Sequence, residues 1–121
     1  MSDVTIYHNP RCSKSRQTLA LLEEHGVEAD VVEYLKDTPT PAELDAILKK
    51  LGKRPEEIVR KKEARLAELG ISPSDQLSRD EWLKTFSENP ILIERPIVVA
   101  GQKAALGRPP EAVLELFYEV P

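Results

Sequence analysis

Val4-Thr5-Ile6-Tyr7, then His8-Asn9-Pro10-Arg11-Cys12, then a helical run from Ser13 to His25, then Ala29-Asp30-Val31-Val32-Glu33-Tyr34: the order of these four pieces decides the fold. The first piece is short and rich in β-formers, so it reads as a strand. Asn9-Pro10 is turn chemistry, which makes residues 8–12 a loop. Ser13 is a good helix N-cap, and Gly26 is a suitable stop after His25. Ala29–Tyr34 reads as a second strand. Two strands joined by a helical crossover in so short a span form a βαβ unit, so they should run parallel.

The middle of the chain reads as helical. Thr40-Pro41-Ala42-Glu43 is a capping box with proline at the first helical position, followed by Leu44, Ile47, Leu48 and Leu51 at helical spacing and a stop at Gly52. Pro55 opens a further helical stretch with Glu56 and Glu57 in its first turn, running to Leu69 and ending at Gly70. Ser78-Arg79-Asp80-Glu81 is a second capping box ahead of Trp82, Leu83 and Phe86, and Asn89-Pro90 closes that helix. Ile91-Leu92-Ile93 and Glu94-Arg95-Pro96 follow. Ile97–Ala100 is a strand, Gly101-Gln102 a turn and Lys103–Leu106 its hairpin partner. Gly107-Arg108-Pro109-Pro110 breaks the chain, and Glu111–Tyr118 is a last helix with Val113, Leu114 and Phe117 inward. A βαβ unit followed by a ββα unit is the thioredoxin-like arrangement, an α/β fold with a mixed four-stranded sheet. The helices over about residues 41–89 form an insertion. A different small α+β sheet from the same elements is the alternative.

The 121 residues suit a single domain, residues 1–121, that buries roughly two-thirds of its unfolded surface. Hydrophobic residues make up 40% and charged residues 31%, the balance of a globular chain rather than a disordered one. With 17 Lys and Arg against 21 Asp and Glu, the net charge is −4, which gives no overall attraction to nucleic acid or to an anionic membrane. No apolar run approaches the roughly 20 residues of a membrane helix. Met1–Tyr7 lacks the pattern of a signal peptide. The cytoplasm is the expected compartment, and there a lone thiol stays reduced.

Cys12 is the only cysteine. An internal disulfide, a Cys-rich zinc site and a dithiol cycle within one chain are therefore excluded. A lone cysteine is commonly a small buried hydrophobe. This one stands in a polar loop directly before a helix, where free N–H groups and the helix dipole favour a thiolate and bind anions. Lys14 and Arg16 add positive charge, and His8 adds more if protonated. In Cys12-Ser13-Lys14-Ser15 the fourth position of a Cys-x-x-Cys motif is Ser15, which can donate a hydrogen bond to a thiolate but cannot resolve a disulfide. A tyrosine-phosphatase loop would need arginine where Thr18 stands.

Arginine is the favoured partner of tetrahedral oxyanions, because its planar fork makes bidentate bonds. Arg95 lies between two apolar segments, where a charge must be paired. Arg108 sits on a rigid corner before two prolines. Arg60, in Arg60-Lys61-Lys62, suits an anion site or a solvated helix face equally. A cis bond at Pro96 would set Arg95 beside Cys12 in a thioredoxin-like fold. His25 caps a helix end and reads as structural. Two distant histidines and one cysteine make a poor metal site.

Three ordered motifs, His8-Asn9-Pro10-Arg11-Cys12-Ser13-Lys14-Ser15-Arg16, Pro90-Ile91-Leu92-Ile93-Glu94-Arg95-Pro96-Ile97 and Gly107-Arg108-Pro109-Pro110-Glu111, resemble the glutaredoxin-coupled arsenate reductases of the ArsC family. The resemblance spans Val4 to Phe117. It implies a thioredoxin-like fold with a helical insertion, a nucleophilic Cys12, support of its thiolate by His8 and Ser15, and oxyanion binding by Arg60, Arg95 and Arg108. The proline after the arginine, here Pro96, is cis in such folds. The implied reaction is attack of the Cys12 thiolate on arsenate, then reduction to arsenite by glutathione as co-substrate and glutaredoxin as protein partner, with no bound cofactor or metal. Two neighbouring readings share the fold: a glutathione-dependent thiol reductase of another substrate, and an Spx-like regulator that binds RNA polymerase. Ser15 argues against the Cys-x-x-Cys switch found in many of the latter.

Overall fold

The computed structural model describes residues 4–72 and 77–117. Strands β1 (Val4–His8), β2 (Asp30–Glu33), β3 (Ile97–Ala100) and β4 (Lys103–Leu106) form one sheet in the order β2-β1-β3-β4. β1 runs parallel to β2, with Ile6 opposite Val31, and antiparallel to β3, with Ile6 opposite Val98. β3 and β4 are antiparallel, joined at Gly101-Gln102. This is the thioredoxin-like mixed sheet expected from βαβ followed by ββα. Contacts divide the chain into two compact units, Met1–Asp37 with Arg95–Pro121, and Thr38–Glu94.

In the first unit, helix α1 (Ser13–Glu24) follows β1. Its N-cap is Cys12 rather than Ser13. The Arg16 N–H donates to the Cys12 carbonyl at 3.0 Å, so the first helical bond starts one residue earlier than the capping preference of serine suggests. Gly26, at φ 72°, ends the helix as expected. The buried residues of α1 are Ser15, Thr18 and Leu22, spaced as one helix face. Leu22 joins Ile6, Val98 and Val113 in the core, with Leu19, Val27, Ala105, Leu116 and Phe117 packed against them. Two polar residues on the inner face near the start of α1 are not core material, and they mark where the site lies.

The last helix is a 3-10 helix, Pro110–Leu116. Three residues per turn put Leu116 on the face of Val113, in place of the Leu114 expected from the α-helical period. Tyr118, the expected end of this helix, lies outside the described residues.

In the second unit, α2 (Pro41–Leu51) and α4 (Arg79–Glu88) begin at the two capping boxes read from the sequence. The Glu43 N–H donates to Thr40 Oγ1 at 3.2 Å, and the Glu81 N–H donates to Ser78 Oγ at 3.2 Å. Trp82 and Phe86 are fully buried and stack with their centroids 5.6 Å apart. The continuous helix expected over 55–69 is not formed. A 3-10 turn at Pro55–Glu57 gives way to an extended pairing, and helix resumes only at α3 (Ala64–Glu68). Val59 bridges Ile93, the Arg60 N–H donates to the Leu92 carbonyl at 2.7 Å, and the Glu94 N–H donates to the Ile58 carbonyl at 2.7 Å. Those bonds occupy backbone groups that a helix would use, and they bury Leu92 and Ile93.

Candidate active site

The loop between β1 and α1 is wound by its own polar groups. The Arg11 N–H donates to Asn9 Oδ1 at 3.0 Å, an Asx turn, and the Cys12 N–H donates to the Asn9 carbonyl at 3.0 Å. The Arg16 guanidinium reaches back to the Pro10 carbonyl at 2.8 Å. These bonds hold Cys12 at the mouth of α1 with 8% of its surface exposed.

Burial is the largest single influence on the Cys12 thiol and pushes it up. The combined opposing groups outweigh it: the Ser15 N–H, the Arg95 charge, the Lys14 N–H and the Arg108 charge leave the thiol below its ordinary value. The expected helix N-terminus effect is therefore present as two backbone N–H groups. The charges that act are Arg95 and Arg108, not the side chains of Lys14 and Arg16. Lys14 contributes through its backbone, and Arg16 is turned to the loop carbonyl.

Ser15 also acts differently from the expectation. Its hydroxyl oxygen lies 2.6 Å from His8 Nδ1 and accepts the Asn9 N–H at 3.0 Å, so the hydroxyl is committed to the loop while its backbone N–H serves the sulfur. His8 is 7% exposed at the end of β1. Burial lowers its pKa, Glu33 opposes that shift and Arg16 adds to it. Burial therefore favours the neutral imidazole and disfavours the charge that a protonated His8 would add. What His8 holds is the position of Ser15.

This arrangement predicts the behaviour of Ser15→Ala. Losing the hydroxyl leaves the Asn9 N–H and the buried His8 nitrogen without their shared oxygen. The cost should be about 1–3 kcal/mol, read as a lower denaturant midpoint. Because the backbone N–H at position 15 remains, the Cys12 thiol should still titrate below the ordinary value.

Arg95 and Arg108 come together with Cys12 in the first unit. The Arg95-Pro96 peptide is cis, as the resemblance implies, and Arg108-Pro109 is cis as well. Arg108 Nε donates to the Arg95 carbonyl at 2.9 Å, so the Arg108 side chain ties the two arginine-bearing segments together. Arg95 Nε and Nη1 are buried and have no hydrogen-bond partner among the described residues. Buried guanidinium nitrogens in that condition are costly in an apolar surrounding. Near a thiol that their charge helps to lower, they are suited to receive the oxygens of a tetrahedral anion.

Arg60 belongs to the second unit, where its guanidinium pairs with Glu63 at 2.8 Å and its side chain is about a quarter exposed, at 27%. Among the described residues no group of three or more His, Cys, Asp or Glu side chains could hold a metal ion, and no helix is long and apolar enough to cross a membrane.

The ArsC family profile matches residues 7–116. The chain is 52% identical over 114 residues to the uncharacterized protein YfgD of Escherichia coli K12, covering 93% of this chain and 95% of that protein. It is 48% identical over 114 residues to an arsenate reductase of Haemophilus influenzae, covering 93% and 97%. Among solved structures, an arsenate reductase from Vibrio cholerae superposes with a TM-score of 0.88 at 48% identity, covering 93% of this chain and 95% of that one.

Proposed function

The chain belongs to the ArsC family, and on that footing we propose that it is an arsenate reductase drawing its electrons from glutathione and glutaredoxin. The observation that carries this reading is the pairing of Cys12, whose thiol the surrounding N–H groups and arginines lower, with the two buried, unpartnered nitrogens of Arg95. Arsenate is a tetrahedral oxyanion with an electrophilic centre, and it needs both a nucleophile and donors aimed at its oxygens.

The Cys12 thiolate attacks arsenic and displaces hydroxide or water, giving a Cys–S–As(V) adduct. Arg95 and Arg108 hold its oxygens, and the Lys14 and Ser15 N–H groups supply further donors. Arg60 is the third arginine of this reading and rests on the resemblance of its position alone. Glutathione then displaces a second hydroxyl from arsenic, which leaves as water with the glutathione proton, to give Cys–S–As(V)–S–glutathione. A glutaredoxin thiol takes the glutathione sulfur away as a mixed disulfide, and the electron pair stays on arsenic, which falls from As(V) to As(III). Water then replaces the Cys12 sulfur on As(III), releasing arsenite and returning Cys12 to a thiolate. The two electrons thus come from two external thiols, as a chain with one cysteine requires. Reduced glutathione in quantity fits a cytoplasmic setting.

Incubating the protein with arsenate, glutathione, glutaredoxin and NADPH-coupled recycling should yield arsenite in step with NADPH loss. A protein whose thiol alkylates readily but yields no arsenite would overturn the reading. Turnover of glutathione mixed disulfides in that case would favour a thiol reductase of another substrate.

A further inference from the structure

Gly107 occupies a confined place in the first unit. It is buried between β4 and the Arg108 corner, and its N–H donates to the Pro96 carbonyl at 2.9 Å. A Cβ built on it would stand 2.5 Å from Thr18 Oγ1, 2.7 Å from Pro96 Cγ and 3.1 Å from Pro96 Cδ. Neither neighbour can yield easily. The proline ring is tied to its own backbone. Thr18 is fully buried and β-branched, and its hydroxyl donates to the Lys14 carbonyl at 2.8 Å in the first turn of α1.

The three parties to this contact each carry a piece of the site. Thr18 belongs to the helix whose first N–H groups face Cys12. Pro96 is bonded to Arg95, and Gly107 itself is bonded to Arg108. Accepting the reading of Cys12, Arg95 and Arg108 as an anion-binding thiolate site, we infer that Gly107 is a positioning residue: its missing side chain lets the two arginine-bearing segments close on α1 and sets their distance from the sulfur. A methyl group there has to push the 95–96 segment, the 107–108 segment or α1 outward. Displacement on the order of 1 Å at a reacting centre can cost about 100-fold in rate.

The test is the pH profile of Cys12 alkylation by iodoacetamide, with and without arsenate, in the native protein and in Gly107→Ala. The variant should titrate closer to an ordinary thiol, and arsenate should protect it at least about tenfold less well. Loss of fold alone would not produce that pattern in a variant whose circular dichroism stays native. Adding Thr18→Ala removes one of the two obstructions, so the double variant should recover part of the native titration, a coupling that additive structural damage lacks. If Gly107→Ala does not fold, the double variant and Thr18→Ala are compared instead. Thr18→Ala alone should then shift the thiol less than the double variant does. A folded variant with native titration and native protection overturns the inference while leaving the site intact. A native thiol that titrates ordinarily and gains no protection from arsenate overturns the site reading, and this inference with it.

Discussion

Cys12→Ser is expected to eliminate arsenite production, with a loss of at least about 10⁴-fold, because Cys12 is the only thiol in the sequence. A serine hydroxyl in the same place is not ionised near neutral pH, and the charges that lower the thiol are far too weak to ionise an alcohol. The fold should survive the change. Cys12 is the N-cap of α1 and makes no side-chain cap bond, whereas serine is a preferred N-cap. The variant should therefore melt at or above the native temperature and still bind arsenate reversibly, since Arg95, Arg108 and the two N–H groups are untouched. Arsenite formation by Cys12→Ser at a rate near that of the native protein would contradict the nucleophile assignment.

Arg95→Ala should have the second largest effect, lowering turnover by about 10²–10³-fold, the usual consequence of removing one oriented donor from a developing oxyanion. Two further consequences separate this from general damage. First, the Cys12 thiol loses the larger of its two charge contributions and should titrate higher. Second, stability should hold or rise, because the substitution removes two buried nitrogens that have no partner in the described structure. Sites that bind substrate are commonly maintained at a cost to stability of this kind. Arg95→Lys should not rescue turnover, since an ammonium lacks the planar fork that spans two oxygens. Urea unfolding measured alongside steady-state rates distinguishes the two effects. A variant that loses stability and activity together would mark Arg95 as a structural residue.

Features fixed by short-range chemistry were legible in the sequence. The capping boxes at Thr40 and Ser78, the glycine stop at Gly26 and the turn at Gly101 each depend on a few adjacent residues. The βαβ order follows from the short β-rich runs on either side of the Ser13–His25 helical stretch. Arg95 and Arg108, each before a proline, stood out as candidates because both lie outside helix surfaces, and the structure places them in the same unit as Cys12. Features set by distant partners were not legible. Residues 58–60 form an extended pairing because 92–94 lie opposite, and nothing local in Arg60-Lys61-Lys62 reports that. The Val113–Leu116 face depends on a 3-10 rather than an α-helical repeat, which hydrophobic spacing alone does not distinguish. Burial shifts His8 toward its neutral form, and Ser15 serves the sulfur through its backbone while His8 and Asn9 engage its hydroxyl. Gly107 reads as an ordinary turn residue until Thr18 and Pro96 are seen on either side of it.

The most direct measurement of the central claim is the rate of Cys12 alkylation across pH, repeated with increasing arsenate. The lowered thiol means that the thiolate forms, and the rate rises, at a lower pH than for an ordinary cysteine. Arsenate held by Arg95 and Arg108 should slow the reaction saturably, and the protection should vanish in Arg95→Ala. A titration at the ordinary thiol value, with a rate indifferent to arsenate, would contradict the account.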